Sequence, residues 1–482
     1  MDRWLERVRR EIVGLETFVP LLDGRLARYV NLDNAATTPA LASVRDTVDG
    51  FLEWYSSVHR GVGFKSRLAT HWYEDARRAV LEATGGDPDR HVVVFVRNTT
   101  EGMNLLAHRL LAAGDGLILV SVLEHHSNML PWRRAGRVLH LELDDEGSIA
   151  PEALDAQLRA AGGHVRAVSI SGASNVTGVV PPVHRLAEVA HAHGARCFVD
   201  GAQLVPHRRV AMGAAADPGR LDALVFSGHK LYAPYGCGAV VADRRLFEGG
   251  EPLLVGGGMV RSVTLEEADW ADAPESDEAG SPNVVGAVAL AAALRALAAL
   301  GWDAIEAHEA AMVRYALARL TGVPGLALYG PADPARTDRL GVFTFNLGGI
   351  PHGRVAAILA YEHGIGVRNG CFCAHPLLFR LLRLTADQVE RFRAQMRANR
   401  HAGVPGAVRA SLGIYNTPDD VDALVRGLAA IARGEVAGRY EEDPLTGEVA
   451  PAGAPDRVRD VFDPAVYVPA PDAVAGRPGP AL

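Results

Sequence analysis

Between residues 92 and 226 the chain repeats one pattern: a short β-branched, apolar run, a helical stretch, then another run. The runs fall at 92–96, 117–120, 138–141, 165–171, 196–199 and 223–226, and helical stretches at 99–112, 151–160 and 182–193 lie among the connections. An apolar run without polar alternation suits a strand buried on both faces, and strands alternating with helices build βαβ units around a parallel sheet. The pattern excludes all-α and all-β folds and predicts an α/β domain with a large, mostly parallel sheet flanked by helices. Open sheets of this kind bind ligands beyond the carboxyl ends of their strands. Here the runs lead into Asn98-Thr-Thr-Glu-Gly102, Glu124-His-His-Ser-Asn128, Ser174-Asn-Val-Thr-Gly178, Asp200-Gly-Ala-Gln203 and Ser227-Gly-His-Lys230.

Lys230 ends the last of these segments. In a dry crevice a lysine shifts toward the neutral amine, the form that makes a Schiff base with an aldehyde such as pyridoxal phosphate. Taken alone, a surface lysine just past a strand is the commoner reading. Asp200 can pair with a pyridinium nitrogen, or simply cap a helix. Gln203 can bond a ring oxygen, or be a first-turn residue. Thr99 and Thr100 open a helix whose hydroxyls and free amides make a phosphate cup, although threonine is also a common cap. Ser227 and His229 flank the lysine and can complete that cup. His125 can stack on a ring or move protons, against the commoner structural role of a histidine. Asn175 and Arg409 suit a substrate carboxylate, since guanidinium and carboxylate match in a two-bond fork. Each signal is weak alone, and their concentration at strand ends gives them weight.

At 482 residues the chain exceeds one simple core. Residues 1–30 read as an amphipathic helical segment, with Trp4, Val8 and Ile12 at helical spacing. A large domain is expected over 31–260, opening on Asn31-Leu-Asp-Asn-Ala-Ala-Thr-Thr-Pro39, a helix at 41–55 and the loop His59-Arg-Gly-Val-Gly63. Residues 261–436 read as a linking helix (284–300) and a smaller α+β domain, with further helices to about 320, at 352–362 and at 418–433, and a strand at 342–346. From 437 to 482 the chain holds eight prolines without periodicity, the mark of an extended or disordered tail. Within 377–403, six arginines against two acids suggest a solvated helix or lid, with a docking face for an acidic partner as the second reading. The net charge of −8 argues against nucleic acid or an anionic membrane as main partner, and 284–300 is short for a membrane span. The charged opening MDRWLERVRREIVG lacks a signal-peptide core, and four cysteines do not make a disulfide framework; both favour the cytoplasm.

The strand-end segments, with Asn31-Leu-Asp-Asn-Ala-Ala36, Ala279-Gly-Ser-Pro-Asn283 and Arg409-Ala-Ser-Leu-Gly-Ile-Tyr-Asn416, resemble in order and spacing the class V aminotransferase family of fold-type I pyridoxal phosphate enzymes. The likeness covers roughly residues 30–435 and is strongest to the cysteine desulfurase and selenocysteine lyase branch. It implies a seven-stranded sheet, pyridoxal 5'-phosphate as cofactor, an amino-acid substrate, a homodimer and a sulfur-acceptor protein. It implies Lys230 as the Schiff-base lysine and proton shuttle, Asp200 at the pyridine nitrogen, Gln203 at the phenolic oxygen and His125 stacked on the ring. Thr100 with Thr99, Ser227 and His229 would hold the phosphate, helped from a second subunit by Ser281, which stands where the family has threonine. Asn175 and Arg409 would grip the substrate carboxylate.

The branch is marked by a cysteine after an Arg-x-Gly segment, and this chain reads Arg368-Asn-Gly-Cys371-Phe-Cys373-Ala-His-Pro376. Counted from Arg368 to the Ala-x-Pro, Cys373 takes the family's nucleophile position and Cys371 is extra. A thiolate there removes sulfur from a cysteine-derived adduct, leaving alanine and a protein persulfide, and Arg368 nearby favours the thiolate. The residues themselves leave three other uses open: a redox-labile disulfide, a soft-metal pair without partner ligands, or simple packing. Cys197 and Cys237 read as structural, and no metal is expected. Three departures bear on substrate: Gly63 replaces a histidine of the closest desulfurases, the arginine-rich insertion is longer, and Gly-Cys-Phe-Cys resembles a loop of molybdenum-cofactor sulfurases. The alternative is a class V transaminase, epimerase or lyase in which both cysteines are idle.

Overall fold

The computed structural model describes residues 3–112, 114, 116–144, 147–453 and 461–464. Seven strands form the central sheet: β1 His91–Val96, β2 Leu117–Ser121, β3 Arg137–Leu141, β4 Val165–Ser171, β5 Arg196–Asp200, β6 Ala223–Ser227 and β7 Gly238–Asp243. Their order is β1-β7-β6-β5-β4-β2-β3. Pairing is parallel from β6 to β3, and β7 runs antiparallel to both β6 and β1. Six strands sit at the apolar runs. The seventh, β7, returns directly from β6 through the turn that carries Lys230 and has no run of its own among those read from sequence.

Side chains alternate across the pleat, so both faces of each strand must be apolar when both are covered. Val93, Leu119, Ile170, Val199, Leu224 and Val241 enter one core layer; Val94, Val120, Ala167, Phe198, Val225 and Val240 enter the other. The helices α1 Arg3–Glu11, α2 Ala42–Leu52, α3 Phe64–Ala83, α4 Thr99–Ala112, α5 Pro151–Ala160, α6 Val183–Ala192 and α7 Val284–Leu300 surround the sheet. Of these, α4 alone supplies the second layer, through Met103, Leu106 and Leu110. Gly102 lets it come close: a Cβ there would stand 2.4 Å from Val225 Cγ1 and 2.8 Å from Val240 Cγ2. Glycine thus draws the first turn of α4 against the end of β6. Among the described residues no single helix is long and apolar enough to cross a membrane, and α7 is a buried core helix.

A second, antiparallel sheet comprises β8 Leu326–Tyr329, β9 Val342–Leu347, β10 Arg368–Gly370 and β11 Ala407–Ser411, in the order β8-β9-β11-β10. Helices Trp302–Leu320, His352–His363 and Pro418–Ala432 cover it around Phe343, Phe345, Leu359 and Leu424. Val30 and Leu32 also belong to this core, because Val30–Asn31 pairs in parallel with Ile365–Gly366. Helix α1, by contrast, buries Val8 in the large core, and Ala35 returns to it. The chain therefore enters on the large core, visits the small one and comes back within residues 30–35. The arginine-rich insertion forms helices His375–Leu381 and Ala386–Arg397, the second opened by a Thr385–Gln388 capping box. Of the segment read as a tail, Tyr440–Glu442 and Val449–Pro451 pair as a hairpin; 454–460 and 465–482 lie outside the described residues.

Replacing Gly102 with alanine forces α4 off the sheet. We expect a loss of about 1–3 kcal/mol in urea unfolding, the usual penalty of overpacking; unchanged stability would show that the close approach does not constrain α4.

Candidate active site

Lys230 closes the 3-10 turn Gly228–Lys230 immediately after β6. A Cβ on Gly228 would meet Cys237 O at 2.8 Å, so glycine is what lets this turn tuck under β7. The Lys230 side chain lines a cavity of about 250 Å³ at the carboxyl edge of the sheet. Burial pushes its ammonium down to about 8; nearby Asp200 opposes that shift and Arg409 adds to it. Thr37 Oγ1 and Thr38 N both donate to His229 O, each at 2.9 Å, which ties the turn to the loop after Asn34. Burial, with the charge of Lys230, lowers the His229 imidazole to about 4.

The hydroxyl cup forms as the strand order dictates. Thr99 N donates to Ser227 Oγ at 2.8 Å, and the two hydroxyls lie 2.7 Å apart. Thr100 Oγ1 and Ser127 Oγ are also 2.7 Å apart. Helix α4 begins at this cup, with Asn98, Thr99 and Thr100 lining the cavity, and that end of a helix attracts anions. Ser127 links the cup to His125: its backbone N donates to His125 Nδ1 at 3.1 Å, leaving the ring proton on Nε2. Desolvation, reinforced by Lys230, drives His125 down to about 3, so the ring is neutral.

Asp200 ends β5 beside Ser171 of β4. It accepts from Ala202 N at 3.0 Å, and burial pushes its carboxyl up despite that bond and Lys230. A buried acid that resists ionisation when alone is well suited to a cationic ring nitrogen. Gln203 Nε2 donates to Ala35 O at 2.7 Å. Beneath the site Glu124 is wholly buried and accepts from Ser121 Oγ (2.5 Å), Ser171 Oγ (2.6 Å), Ser171 N (2.9 Å) and Asn128 Nδ2 (2.5 Å). Desolvation outweighs those bonds and lifts Glu124 to about 7. It staples the ends of β2 and β4 to the histidine loop.

The far wall comes from the second sheet and the loops that meet it. Arg409, buried on β11, donates to Asn175 O at 3.1 Å and to Asp33 Oδ1 at 2.9 Å, while its buried Nε has no protein partner. Arg368, more than half exposed, stands 3.9 Å from Asp33 Oδ2. Asn175 Nδ2 donates to Phe372 O at 2.8 Å. Cys373 is exposed and lines the cavity; Cys371 is half-buried outside it, its thiol donating to Pro405 O at 3.2 Å. Burial raises the Cys371 thiol to about 11, and neighbouring Cys373 adds to the rise. Cys197 and Cys237 are buried in the large core.

Thirteen residues were singled out from sequence, and all but Ser281 line this one cavity. Ser281 stands instead at a separate cavity with Tyr73, Glu278 and Asn283. Sequence reasoning passed over Ser127, Ser171 and Asp33, although Ser127 and Asp33 lie inside segments already recognised. The arrangement holds a hydroxyl-and-amide cup, a buried acid, an amine poised near neutrality, an unsatisfied guanidinium and an accessible thiol.

The aminotransferase class-V family model matches residues 30–424. The chain belongs to that family. A cysteine desulfurase of Dickeya dadantii is 37% identical over 442 residues, covering 89% of this chain and 97% of its own. One from Escherichia coli O127:H6 is 37% identical over 426 residues, covering 85% and 96%. Among solved structures, the apo cysteine desulfurase from Thermococcus onnurineus NA1 superposes with a TM-score of 0.77 at 30% identity, covering 90% of this chain and 99% of that one. The cysteine desulfurase CsdA (S-sulfonic acid) from Escherichia coli does so with a TM-score of 0.70, at the same identity and coverage.

In cofactor-free protein, condensation of an added aldehyde with Lys230 should quicken with rising pH, because only the neutral amine reacts. Its midpoint should lie near 8, well below the ordinary 10.5. Asp200→Asn removes the carboxylate that favours the ammonium and should move the midpoint lower still. Stopped-flow absorbance with pyridoxal phosphate across a pH series reads both, and a variant midpoint at or above the parent's would contradict the electrostatics.

Proposed function

We infer that this protein is a pyridoxal-phosphate-dependent cysteine desulfurase that takes sulfur from L-cysteine, or selenium from selenocysteine, to leave alanine and a persulfide on Cys373. The carrying observation is an accessible thiol on the same cavity as a depressed lysine and an unsatisfied buried guanidinium. The donor set fits the cofactor, which when bound acts as an electron sink for the substrate α-carbon. Thr99, Thr100, Ser227 and His229 hold its phosphate. Asp200 would keep its ring nitrogen protonated, Gln203 would bond its phenolic oxygen and neutral His125 would stack on the ring.

Arg409, with Asn175 and Arg368, binds the substrate carboxylate; the free Nε of Arg409 and the Asp33 contact that fixes its other end support this assignment. Lys230 moves the proton at the substrate α-carbon, a task suited to an amine whose pKa is near neutral pH. Cys373 takes the sulfur as the thiolate, which is the nucleophilic form. A thiol on an acceptor protein then collects it by exchange. Exposed apolar side chains at Leu52, Trp54, Tyr55, Val62, Phe64 and Trp72, with the Trp54 and Phe64 rings edge to face, support a homodimer in which Ser281 of the partner subunit completes the phosphate cup. Four free cysteines fit a reducing, cytoplasmic setting.

Cys373→Ala should cut sulfide and alanine release from L-cysteine by about a thousandfold or more, the scale of losing a reacting group. The absorbance of bound cofactor should persist, and Cys371→Ala should retain most turnover. Full activity in Cys373→Ala would instead favour a class V enzyme of different chemistry with both thiols idle.

A further inference from the structure

The loop that carries Cys373 is held in a conformation it would not choose. Phe372 and Cys373 both have φ of 52°, in the left-handed region that non-glycine side chains resist. Two such residues in succession persist only where their surroundings over-determine them. The large domain supplies that restraint from two points. One is Asn175, already placed in the binding site, which donates to Phe372 O. The other is His126, which follows His125 in the histidine loop and does not line the cavity.

His126 N donates to Cys373 O at 2.7 Å. Its ring reaches the start of the insertion: His375 N lies 3.3 Å and His375 Nδ1 3.0 Å from His126 Nε2. A backbone N–H can only donate, so His126 Nε2 is the acceptor and the His375 ring the second donor. The two rings stack with centroids 4.7 Å apart. Phe379 and Phe392, at 5.5 and 5.4 Å, close around His375 and tie the pair to both insertion helices. Burial keeps both imidazoles below their usual range, so the acceptor survives at neutral pH.

We propose that His126 and His375 are positioning residues that clamp the strained Cys373 loop to the large domain and so fix the thiol at the mouth of the cavity. The inference rests on Cys373 being the reacting thiol. Neither histidine touches substrate. The clamp also gives the insertion a task, since its two helices form the socket in which His375 sits.

The test uses cofactor-loaded protein carrying Cys371→Ala, so that Cys373 is the exposed thiol under study. His126→Phe keeps the ring stack but removes the acceptor; His375→Ala removes the side-chain donor; His375→Asn restores one. The first two should lower kcat for L-cysteine by about ten- to a hundredfold, as misplacement of a reacting group does, with KM and cofactor absorbance little changed. Iodoacetamide should alkylate Cys373 faster in both, and His375→Asn should recover toward the parent in both measures. Parental kcat and alkylation rates in His126→Phe and His375→Ala would overturn the proposal. So would a kcat loss that comes with lost cofactor absorbance and unchanged alkylation. The alkylation rate needs no turnover, so it reports on the clamp even if Cys373→Ala shows that the desulfurase reading is wrong.

Discussion

Covering both faces of one sheet is the constraint from which the rest follows. Val93 and its counterparts fill one layer, Val94 and its counterparts the other, and neither leaves room for a solvated polar group. Inside a strand a polar side chain needs a buried partner, as Ser169 has in Asn128, and the rest gather where the strands stop. Parallel pairing from β6 to β3 puts the stops of β2, β4, β5 and β6 on one edge, and β1, parallel to β6 across β7, adds its own. The site is crowded because the core is dry.

That crowding sets the electrostatics. Lys230, His125 and His229 each lose stability as cations on leaving water, and the charge of Lys230 further disfavours the cationic form of both histidines. Asp200 loses as an anion for the same reason. The site thus disfavours isolated charge, and a ligand with phosphate, ring nitrogen and carboxylate can pair its groups one by one. The small domain contributes the opposite element, a buried Arg409 only partly neutralised by Asp33.

How much of this was legible depended on whether the signal was local. Six strands announced themselves as β-branched runs, and the polar segments after them were visible because Ser, Thr, His, Asn and Asp interrupt an apolar pattern. Strand β7 did not stand out: Gly238 and Ala239 dilute its run, and it follows β6 without an intervening helix. Glu124 sits inside a recognisable segment yet shows no task there, because two of its four hydrogen bonds come from Ser171, 47 positions away. Ser127 could have been read as part of the cup, since it lies in the same segment as His125. The insertion showed its helical spacing, whereas the clustering of Leu377 and Leu378 with Leu123, Val176 and Ala407 is a long-range packing fact. Ser281 lies away from the cavity of its own chain, a placement implied by the family resemblance and by no spacing within the sequence.

The excursion of residues 30–35 has a consequence for how the polypeptide assembles. Val30–Asn31 finds its strand partner at Ile365–Gly366, more than three hundred residues later, so the small core cannot close until nearly the whole chain exists. Such a distant pairing is entropically slow to form and leaves Val30 and Leu32 uncovered in the meantime. A fragment cut at the start of the apparent C-terminal domain would lack these two residues and carry an unfilled gap in its core. The two lobes are separable as packing units but not as lengths of chain, and the thread that joins them runs along the wall of the cavity at Ala35 and Ala36.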